Sequence, residues 1–502
     1  VFVVSFAGIV TAMAVRRQLL ERDALPFPNG VATAETIREI YGEGLEAARR
    51  VRLLLVSGVT SAVVKIVDTL AALPHLGLPH WLGFSVPSKG IDSVSWRTLG
   101  LEVQPSLLLL GLGAIVGPRV GISLLLGTGL AWVLGPLFLL EAGWVTPPGE
   151  GGAWYGKMLE WLLWPGVGLM TAAALTSFAF SLGKLLGRKS RVARPSSETA
   201  VGAHSSEPAG APAPEPAAWA EAPEAANRQV PPSWQWMGFA VALVAVVAAQ
   251  VAIFGIPVWV AVIAFLLSFV LATIAGRVSG ETGIPPIGAL GKITQVTFGL
   301  ISPGDTTANL MTANVTGGAA GQCSDLLHDL KTGRLIGASI RAQLIAQVFG
   351  ILAGSLFGTL TYLVLIPDPQ RMLLTPEWPA PAVAAWKAVA EVLAEGVQSL
   401  PSGSAVATGI AVVLGVAFGA LESLLPASRR RYVPSASSIG FAFIIPPYTS
   451  LGIFLGAMIR VGCEHWKPAW SKAYLIVIAA GLVAGESLAG VGEALLLLLT
   501  GG

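Results

Sequence analysis

Polar side chains that could bind a ligand are concentrated in one stretch of the sequence, residues 281–341. A lysine and four carboxamides recur there, at Lys292, Gln295, Asn309, Asn314 and Gln322. Very apolar segments flank the stretch on both sides, so these groups are expected at membrane depth. Because ionisable groups are costly in hydrocarbon, a functional role is the default interpretation. The alternative is that they hydrogen-bond the main chain of interrupted helices and only hold the fold.

Five carboxylates are candidates for carrying a proton. Asp325 and Asp329 lie four residues apart and share a helix face, where like charges repel and protonation of one of them is favoured. The alternative is a solvated helix end with surface ion pairs. Glu486 has no basic residue near it in the sequence. The other two are Glu281, which opens the polar stretch, and Glu35, in a segment that is either a short re-entrant helix or cytoplasmic.

Lys65 and Asp68 are three residues apart inside an apolar segment at 51–73. Residues at this spacing face each other on a helix, and a local ion pair removes most of the cost of inserting both charges into a membrane. We therefore predict a structural ion pair between them.

Glycines recur at four-residue spacing in three apolar segments, which predicts that helices approach each other closely there. The residues concerned are Gly350, Gly354 and Gly358 in the first, Gly415 and Gly419 in the second, and Gly452 and Gly456 in the third. This spacing indicates a tight bundle and carries no information about a ligand.

The sequence lacks the motifs of an ATP-driven pump or a metal-dependent enzyme. The GALGK run that ends at Lys292 resembles a phosphate-binding loop, but Pro286 and Ile293 stand where that loop needs glycine and a metal-binding hydroxyl. HExxH, GxSxG and CxxC are absent, and Cys323 and Cys463 are too few for a disulfide framework. No catalytic residue, cofactor or resident metal is predicted.

The composition places the chain in a membrane. It has 502 residues, of which 54% are hydrophobic and 12% are charged, against roughly 25% charged in soluble proteins. The formal net charge of +2 gives no basic surface for nucleic acid. The expected surroundings are therefore the lipid bilayer.

Apolar segments long enough to cross about 30 Å of hydrocarbon are predicted along the whole chain, at 1–15, 51–73, 101–117, 120–140, 161–186, 234–254, 257–276, 335–366, 403–425, 434–460 and 472–500. Two shorter, interrupted segments are predicted at 284–301 and 307–326. The residues expected to break them are Pro285, Pro286, Gly288 and Gly291 in the first and Gly317, Gly318 and Gly321 in the second. Paired interruptions of this kind indicate a ligand site near the membrane midplane.

Basic clusters predict the orientation, because short cytoplasmic loops carry the Lys/Arg excess. Clusters follow the spans that end near residues 15, 186 and 425, so these ends are predicted to be cytoplasmic, together with the C-terminus. Loops at 74–100, 142–160 and 367–400 are predicted to be external. Residue 1 is Val, inside an apolar run, so we expect further helices to precede it in the complete protein.

Three regions are predicted: a membrane half at 1–187, a linker at 188–232 and a second membrane half at 233–502. The linker is rich in Ala, Pro, Ser and Glu and is predicted to be disordered and cytoplasmic. Arg17–Ile37 and Arg429–Ile445 share a pattern, a basic cluster followed by a proline that begins a small-residue helix. This pattern suggests two related halves.

Four motifs, in this order and separation, resemble the oligopeptide transporter (OPT) superfamily, with the greatest likeness to its bacterial members and its yellow-stripe-like metal-chelate branch. They are LPFPNGVATAETI, GIPPIGALGKITQ, TANVTGGAAGQCSDLLHDLKTGRLIGAS and VPSASSIGFAFIIPPYTSLGIFLGAMI. The resemblance implies an all-α polytopic membrane protein. It also implies two pseudo-symmetric helical halves with interrupted or re-entrant segments near the midplane.

The expected function is proton-coupled import of oligopeptides or peptide-like metal chelates across the cell membrane. The carboxamides would bind the peptide backbone, Lys292 the substrate carboxylate, and Asp325 or Glu281 its amine. A passive channel and a polytopic membrane enzyme are the alternatives. The resemblance does not make Cys323 or His328 a metal site, and the oligomeric state is left open.

Overall fold

The computed structural model describes residues 1–23, 25–27, 29–31, 33, 34, 37, 45–71, 75–77, 83–86, 91–147, 154–191, 232–282, 285–376, 378–396, 400–426, 429 and 432–500. Residues 192–231 of the predicted linker at 188–232 lie outside the described residues. The prediction that it is disordered therefore stays a prediction, as does the division into 1–187, 188–232 and 233–502.

Helices make up nearly all of the described structure, and nine of them are long and apolar enough to cross a membrane. This confirms the predicted all-α polytopic architecture. The first half contains α1 (Phe2–Arg16), α2 (Leu45–Ala71), α3 (Leu107–Val116), α4 (Pro118–Thr128), α5 (Gly135–Ala142) and α6 (Trp154–Arg191). π-helical turns at Arg17–Arg22 and Gly129–Leu134 extend α1 and join α4 to α5.

The second half begins with α7 (Pro232–Phe254), α8 (Val258–Thr282), α9 (Ile287–Ile301), α10 (Thr306–Ile336) and α11 (Ile340–Leu365). Two helices follow before the next span, α12 (Pro369–Met372) and α13 (Pro381–Glu395). The chain then forms α14 (Ser404–Leu424), α15 (Ala436–Ala442), α16 (Pro447–Trp466), α17 (Pro468–Trp470) and α18 (Ile476–Thr500), with a π-helical turn at Ser471–Leu475 before α18.

The two halves of the sequence are intertwined rather than side by side. α6 packs along α14, α2 along α18, and α1 along α10 and α7. A cluster of buried side chains joins α1 and the residues that follow it to α8, α9 and α10, and it includes Leu19, Phe27, Leu290 and Leu326. The polar stretch of the second half is therefore supported by the first helix of the chain.

Small antiparallel strands lie between α2 and α3, where only a loop was predicted. β1 (Leu76–Gly77) pairs with β4 (Glu102–Val103), and β2 (Gly83–Val86) pairs with β3 (Ile91–Ser95). Glu102 accepts a hydrogen bond from Arg97 Nε (3.1 Å), and its Oε1 lies 2.8 Å from His75 Nδ1. A carboxylate thus joins both ends of this hairpin region.

The interrupted segments form a helical hairpin, and the predicted glycine breaks are wrong in both, since α9 is continuous through Gly288 and Gly291. α9 begins directly after Pro286 and has 15 residues, about 22 Å, which is too short to cross a membrane. α10 is continuous for 31 residues through Gly317, Gly318 and Gly321. These glycines do not break the helix, because they accept packed side chains: a Cβ at Gly318 would lie 2.5 Å from Val4.

Two other predicted spans are also divided. The segment predicted at 101–117 contains β4 and the ten-residue α3, which ends at Gly117 with a φ of 84°. The segment predicted at 434–460 is split between α15, which ends at Ala442, and α16, which begins at Pro447 directly after Pro446. Short helices joined at proline or glycine therefore occur in both halves.

Close helix packing is confirmed for two of the three glycine stripes. A Cβ at Gly456 would lie 2.1 Å from the main-chain oxygen of Leu110, and one at Gly419 would lie 2.7 Å from that of Ala173. The third prediction is wrong within the described residues, because nothing lies within 4 Å of a Cβ at Gly350, Gly354 or Gly358.

Candidate functional site

A buried hydrogen-bonded cluster joins the α9–α10 hairpin to α13. Lys292 donates from Nζ to Gln295 Oε1 (2.9 Å) and to the main-chain oxygen of Ala385 (2.9 Å). Gln295 Nε2 donates to Asn309 Oδ1 (3.1 Å) and to the main-chain oxygen of Trp386 (2.9 Å). Asn309 Nδ2 donates to the main-chain oxygen of Gln295 at 2.6 Å. Three of the five predicted binding residues are thus brought together.

Lys292 is a buried lysine whose hydrogen-bond partners are neutral. Its side chain is 6% exposed, and its Nζ lies 5.5 Å from the centre of the Trp386 ring. Among the described residues, no carboxylate forms an ion pair with it. An ammonium group has three donor hydrogens, and Gln295 and Ala385 account for two of them. The third donor has no partner among the described residues, and a buried charge without a counter-charge would be costly.

Trp386 fills the space between α9, α10 and α13, and sequence reasoning missed it. A Cβ at Gly291 would lie 2.8 Å from its indole, and one at Gly317 would lie 3.1 Å from it. The two glycines therefore admit the indole, which explains why they occur in otherwise regular helices. α13 had been predicted as part of an external loop, so nothing in the pattern indicated this contact.

A second group of predicted residues lies on one face of α10. Asn314, Asp325 and Asp329 are exposed and Gln322 is partly exposed, whereas the positions on the opposite face are buried. Exposed faces elsewhere in the bundle carry apolar side chains, such as Phe349 on α11. A polar stripe in the same setting indicates contact with water rather than with lipid. We call these four residues the α10 stripe.

Gln322 carries a hydrogen-bond donor that has no partner in the described part of the chain. Its Nε2 atom is buried and unpaired. α1 passes directly over it, since a Cβ at Gly8 would lie 2.7 Å from Gln322 Cβ. A buried donor without an acceptor is costly, so this amide is ready to bind a ligand carbonyl or a water molecule.

Glu486 has structural partners that the sequence did not reveal. Its Oε1 accepts from Ser106 Oγ at 2.6 Å, and its Oε2 accepts from the main-chain N–H of Leu108 at 2.7 Å. Leu108 is in the first turn of α3, where a carboxylate satisfies free N–H groups and the helix dipole. Glu486 is on α18, and these two partners belong to the start of α3 rather than to α10.

The predicted ion pair between Lys65 and Asp68 is wrong. Lys65 Nζ instead lies 3.8 Å from Glu493 Oε2 on α18, and Thr69 Oγ1 donates to the same oxygen at 3.1 Å. The long contact between α2 and α18 brings these groups together. A partner more than four hundred residues away in the chain is not visible in local spacing.

Two of the five predicted proton carriers fall outside the described side chains. Glu281 is in the last turn of α8, but its side chain is outside them. Glu35 also lies outside the described residues. Of the five, the structure thus places Asp325 and Asp329 together on α10 and Glu486 elsewhere.

His328 on α10 is a further buried polar residue that sequence reasoning set aside. It is 9% exposed and lies between α8 and the LPFPNG sequence that follows α1. The sequence does carry one signal, the motif LPFPNG. Its two prolines and its Asn-Gly pair predict a turn, which needs another part of the protein to pack against. What it docks on was not predictable from spacing.

The described residues contain no group of three or more His, Cys, Asp or Glu side chains placed to hold a metal ion. The chemistry that the site offers is instead hydrogen bonding and charge pairing. Lys292 and Gln322 contribute donors, and the α10 stripe contributes amide and carboxylate oxygens. This set suits a zwitterionic molecule with its own carboxylates and amides.

Comparison with known proteins gives one family. The model of the OPT oligopeptide transporter protein family matches residues 1–497. The match runs through α1 to α18 and includes the buried cluster, the α10 stripe and His328.

Relatives from yeast and plants align over nearly the whole chain. YGL114W of Saccharomyces cerevisiae, which bears the name of an oligopeptide transporter, is 24% identical over 599 residues, covering 96% of this chain and 78% of its own length. The metal-nicotianamine transporter YSL2 of Oryza sativa subsp. japonica is 23% identical over 507 residues, covering 97% of this chain and 71% of its own length.

Proposed function

Because the chain belongs to the OPT oligopeptide transporter family, we propose that it is a proton-coupled symporter that imports oligopeptides or peptide-like metal chelates. That it is a multi-pass membrane transporter, and not an enzyme, follows from the family and the candidate spans. The coupling ion, the cargo and the direction of transport are the proposal. We place the protein in the cell membrane with the linker and the C-terminus in the cytoplasm.

The observation that carries the proposal is the buried side chain of Lys292, whose hydrogen-bond partners are all neutral. Its ammonium is buried, two of its donors are used by neutral oxygens, and an indole face lies on one side. A cargo carboxylate would supply the missing negative charge at the third donor. Peptides carry such a group at the C-terminus, and metal chelators of the peptide type carry several.

The α10 stripe supports a path for the rest of the cargo. Asn314 and Gln322 offer amide donors and acceptors, which match the N–H and C=O groups of a peptide backbone. Asp325 and Asp329 offer negative charge for a cargo amine, a bound cation or a proton. The stripe belongs to the same helix as Asn309, so the path and the buried cluster are parts of one hairpin.

A passive channel is the rival function. A channel lets its cargo reach equal concentrations on both sides, whereas a symporter accumulates cargo against its gradient. Purified protein in liposomes distinguishes the two with a labelled tripeptide and an inward proton gradient. We expect the labelled tripeptide to accumulate inside the liposomes and this accumulation to disappear when an ionophore removes the proton gradient. If the tripeptide only reached equal concentrations on both sides, with or without the ionophore, symport would be excluded.

Substitution of Lys292 tests the binding role. In Lys292→Met we expect the affinity for peptides to fall at least tenfold, whereas a tripeptide amidated at its C-terminus should bind the wild type and the variant equally weakly. Lys387→Met is the matched control, because Lys387 on α13 is exposed and pairs with Glu391. Unchanged affinity in a well-folded Lys292→Met variant would return Lys292 to a purely structural role.

The cargo class is settled by competition. Unlabelled tripeptides, longer peptides and metal–chelator complexes compete for uptake of one labelled tripeptide. If only the metal–chelator complexes compete, the site is reassigned to chelates. If neither the peptides nor the chelates compete, both classes of cargo are removed from the proposal.

A further inference from the structure

His328 ties α8, α10 and the segment after α1 together through both ring nitrogens. Nδ1 accepts a hydrogen bond from the main-chain N–H of Gly30 at 3.2 Å, and Nε2 lies 2.8 Å from Ser279 Oγ. The ring also meets Phe27 edge to face, with 5.2 Å between ring centres. We call the described residues of 25–31 the docked segment.

The partners of His328 fix its protonation state. A main-chain N–H can only donate, so Nδ1 must carry a free lone pair. The neutral ring then holds its hydrogen on Nε2 and donates it to Ser279 Oγ. A second proton on Nδ1 would face the Gly30 N–H and remove that bond. Protonation of the ring and the hydrogen bond to Gly30 therefore exclude each other.

The other contacts of the docked segment do not involve an imidazole. Thr332 Oγ1 donates to the Gly30 oxygen at 2.9 Å, and the Phe27 N–H donates to the Gly280 oxygen at 2.8 Å. Lys331 Nζ donates to the Leu25 oxygen at 3.2 Å. These bonds persist over the range in which histidine titrates, near pH 6.5. His328 is thus the contact of this set in which binding of a proton removes the hydrogen-bond acceptor.

Charged groups from each element surround this junction. α10 contributes Asp325, one turn before His328, together with Asp329 and Lys331. α8 contributes Arg277, which pairs with Asp23 just before the docked segment at 2.7 Å. Asp325 and Asp329 are exposed on the α10 stripe. The exposed carboxylate of Asp325 is therefore three residues before the buried ring, and that of Asp329 is one residue after it.

We propose that His328 is the proton-binding site of the transport cycle, and that proton binding at Nδ1 releases the docked segment from α10. The inference rests on the proton coupling of the proposed function. The proton arrives from water and forms an imidazolium, and the Gly30 N–H loses its acceptor. When the proton leaves, the lone pair returns and the segment docks again. By linkage, docking weakens proton binding by the same factor by which protonation weakens docking.

Two measurements test the proposal on the full chain in lipid nanodiscs and liposomes. The first is amide hydrogen exchange of the docked segment at pH 7.5 and 5.5, corrected for intrinsic rates. The second is tripeptide uptake with and without an inward proton gradient. In the wild type we expect exchange to increase about tenfold at the lower pH, because a proton on Nδ1 removes the acceptor of the Gly30 N–H.

His328→Asn keeps an acceptor near the Nδ1 position but does not titrate. We expect its exchange to change less than about twofold between the two pH values and gradient-driven accumulation to be lost, while tripeptide binding is retained. His465→Asn, at the exposed end of α16, is the control and should behave as the wild type. Thr332→Val removes a contact that does not titrate, so it should raise exchange at both pH values and keep the pH response.

Each outcome has a separate meaning. Gradient-driven accumulation that survives in His328→Asn would overturn the proposal while leaving symport intact. A wild type without gradient-driven uptake would overturn symport, and the coupling role of His328 with it. Exchange that is independent of pH in the wild type would show that protonation does not release the segment and would overturn the proposal directly.

Discussion

Glu486 on α18 accepts the main-chain N–H of Leu108 in the first turn of α3, with 2.7 Å between Oε2 and N. The last helix of the chain thus holds the start of a short helix almost four hundred residues before it. A carboxylate with this partner and with Ser106 Oγ has an evident structural role. The prediction that it carries a proton is therefore best tested against stability.

We expect Glu486→Ala to lower the free energy of unfolding by about 1–2 kcal/mol, because the first turn of α3 loses its acceptor. Glu486→Gln should lose less, since an amide oxygen still accepts. Thermal unfolding in detergent micelles measures both. If the Glu486→Gln variant were as stable as the wild type but its uptake of cargo no longer depended on the proton gradient, a role of Glu486 in proton coupling would be established instead.

The contact between Lys65 and Glu493 predicts energetic coupling across the α2–α18 interface. A double-mutant cycle with Lys65→Met and Glu493→Gln should give about 0.5–1 kcal/mol, as for partly exposed ion pairs. The same cycle with Asp68→Asn in place of the Glu493 variant is the control, and its coupling should be about zero. A larger coupling to Asp68 would restore the local pair that the sequence suggested.

Two glycine-to-alanine variants should change stability in opposite directions. Gly456→Ala pushes a methyl group against the Leu110 main chain, 2.1 Å away, and should destabilise by about 1–3 kcal/mol. Gly354→Ala meets nothing within 4 Å and should stabilise α11 by about 0.5–1 kcal/mol, because alanine has less backbone freedom to lose. Thermal unfolding measures the stability of both variants. Equal changes in their unfolding temperatures would contradict the packing described for the two glycines.

The hairpin region between α2 and α3 should lose stability in acid. Burial disfavours the charge on Glu102, but hydrogen bonds from His75, Gln104 and Arg97 outweigh this and hold the pKa of its carboxyl below the usual range. A carboxyl with a lowered folded pKa adds stability above its unfolded pKa of about 4.3. That contribution is lost as the pH falls through the folded value.

Limited proteolysis at 75–103 between pH 6 and pH 3 measures this loss. In Glu102→Gln the acid sensitivity of the region should be weaker, because the titrating group is gone. Glu160→Gln is the matched control, since Glu160 forms an exposed pair with Lys157 and should behave as the wild type. Equal acid sensitivity in Glu102→Gln would assign the effect to another group.

Much of the fold could be predicted from the sequence, because hydrophobic length determines which segments cross a membrane. The start of α9 was also predictable, since Pro285 and Pro286 end any regular helix before them. The continuity of α10 was not. Glycine weakens an isolated helix, but Val4 and Trp386 pack into the gaps left by Gly318 and Gly317, and this tertiary contact outweighs the local preference.

The candidate site was only half visible in the sequence. The types of side chain at Lys292, Gln295 and Asn309 indicated a polar cluster, and two of these residues lie within one turn of helix. Their other partners are main-chain oxygens of Ala385 and Trp386, about ninety residues away. The contact between Gly30 and His328 joins residues 298 positions apart. Local spacing carries no information about such pairs.

α11 is a 26-residue span in which no residue is buried by the rest of the described structure. Its outward side chains, such as Phe349 and Phe357, are apolar and exposed, as expected of a helix that faces lipid. The free energy of α11 therefore depends on the thickness and fluidity of the surrounding bilayer more than on its neighbours in the fold.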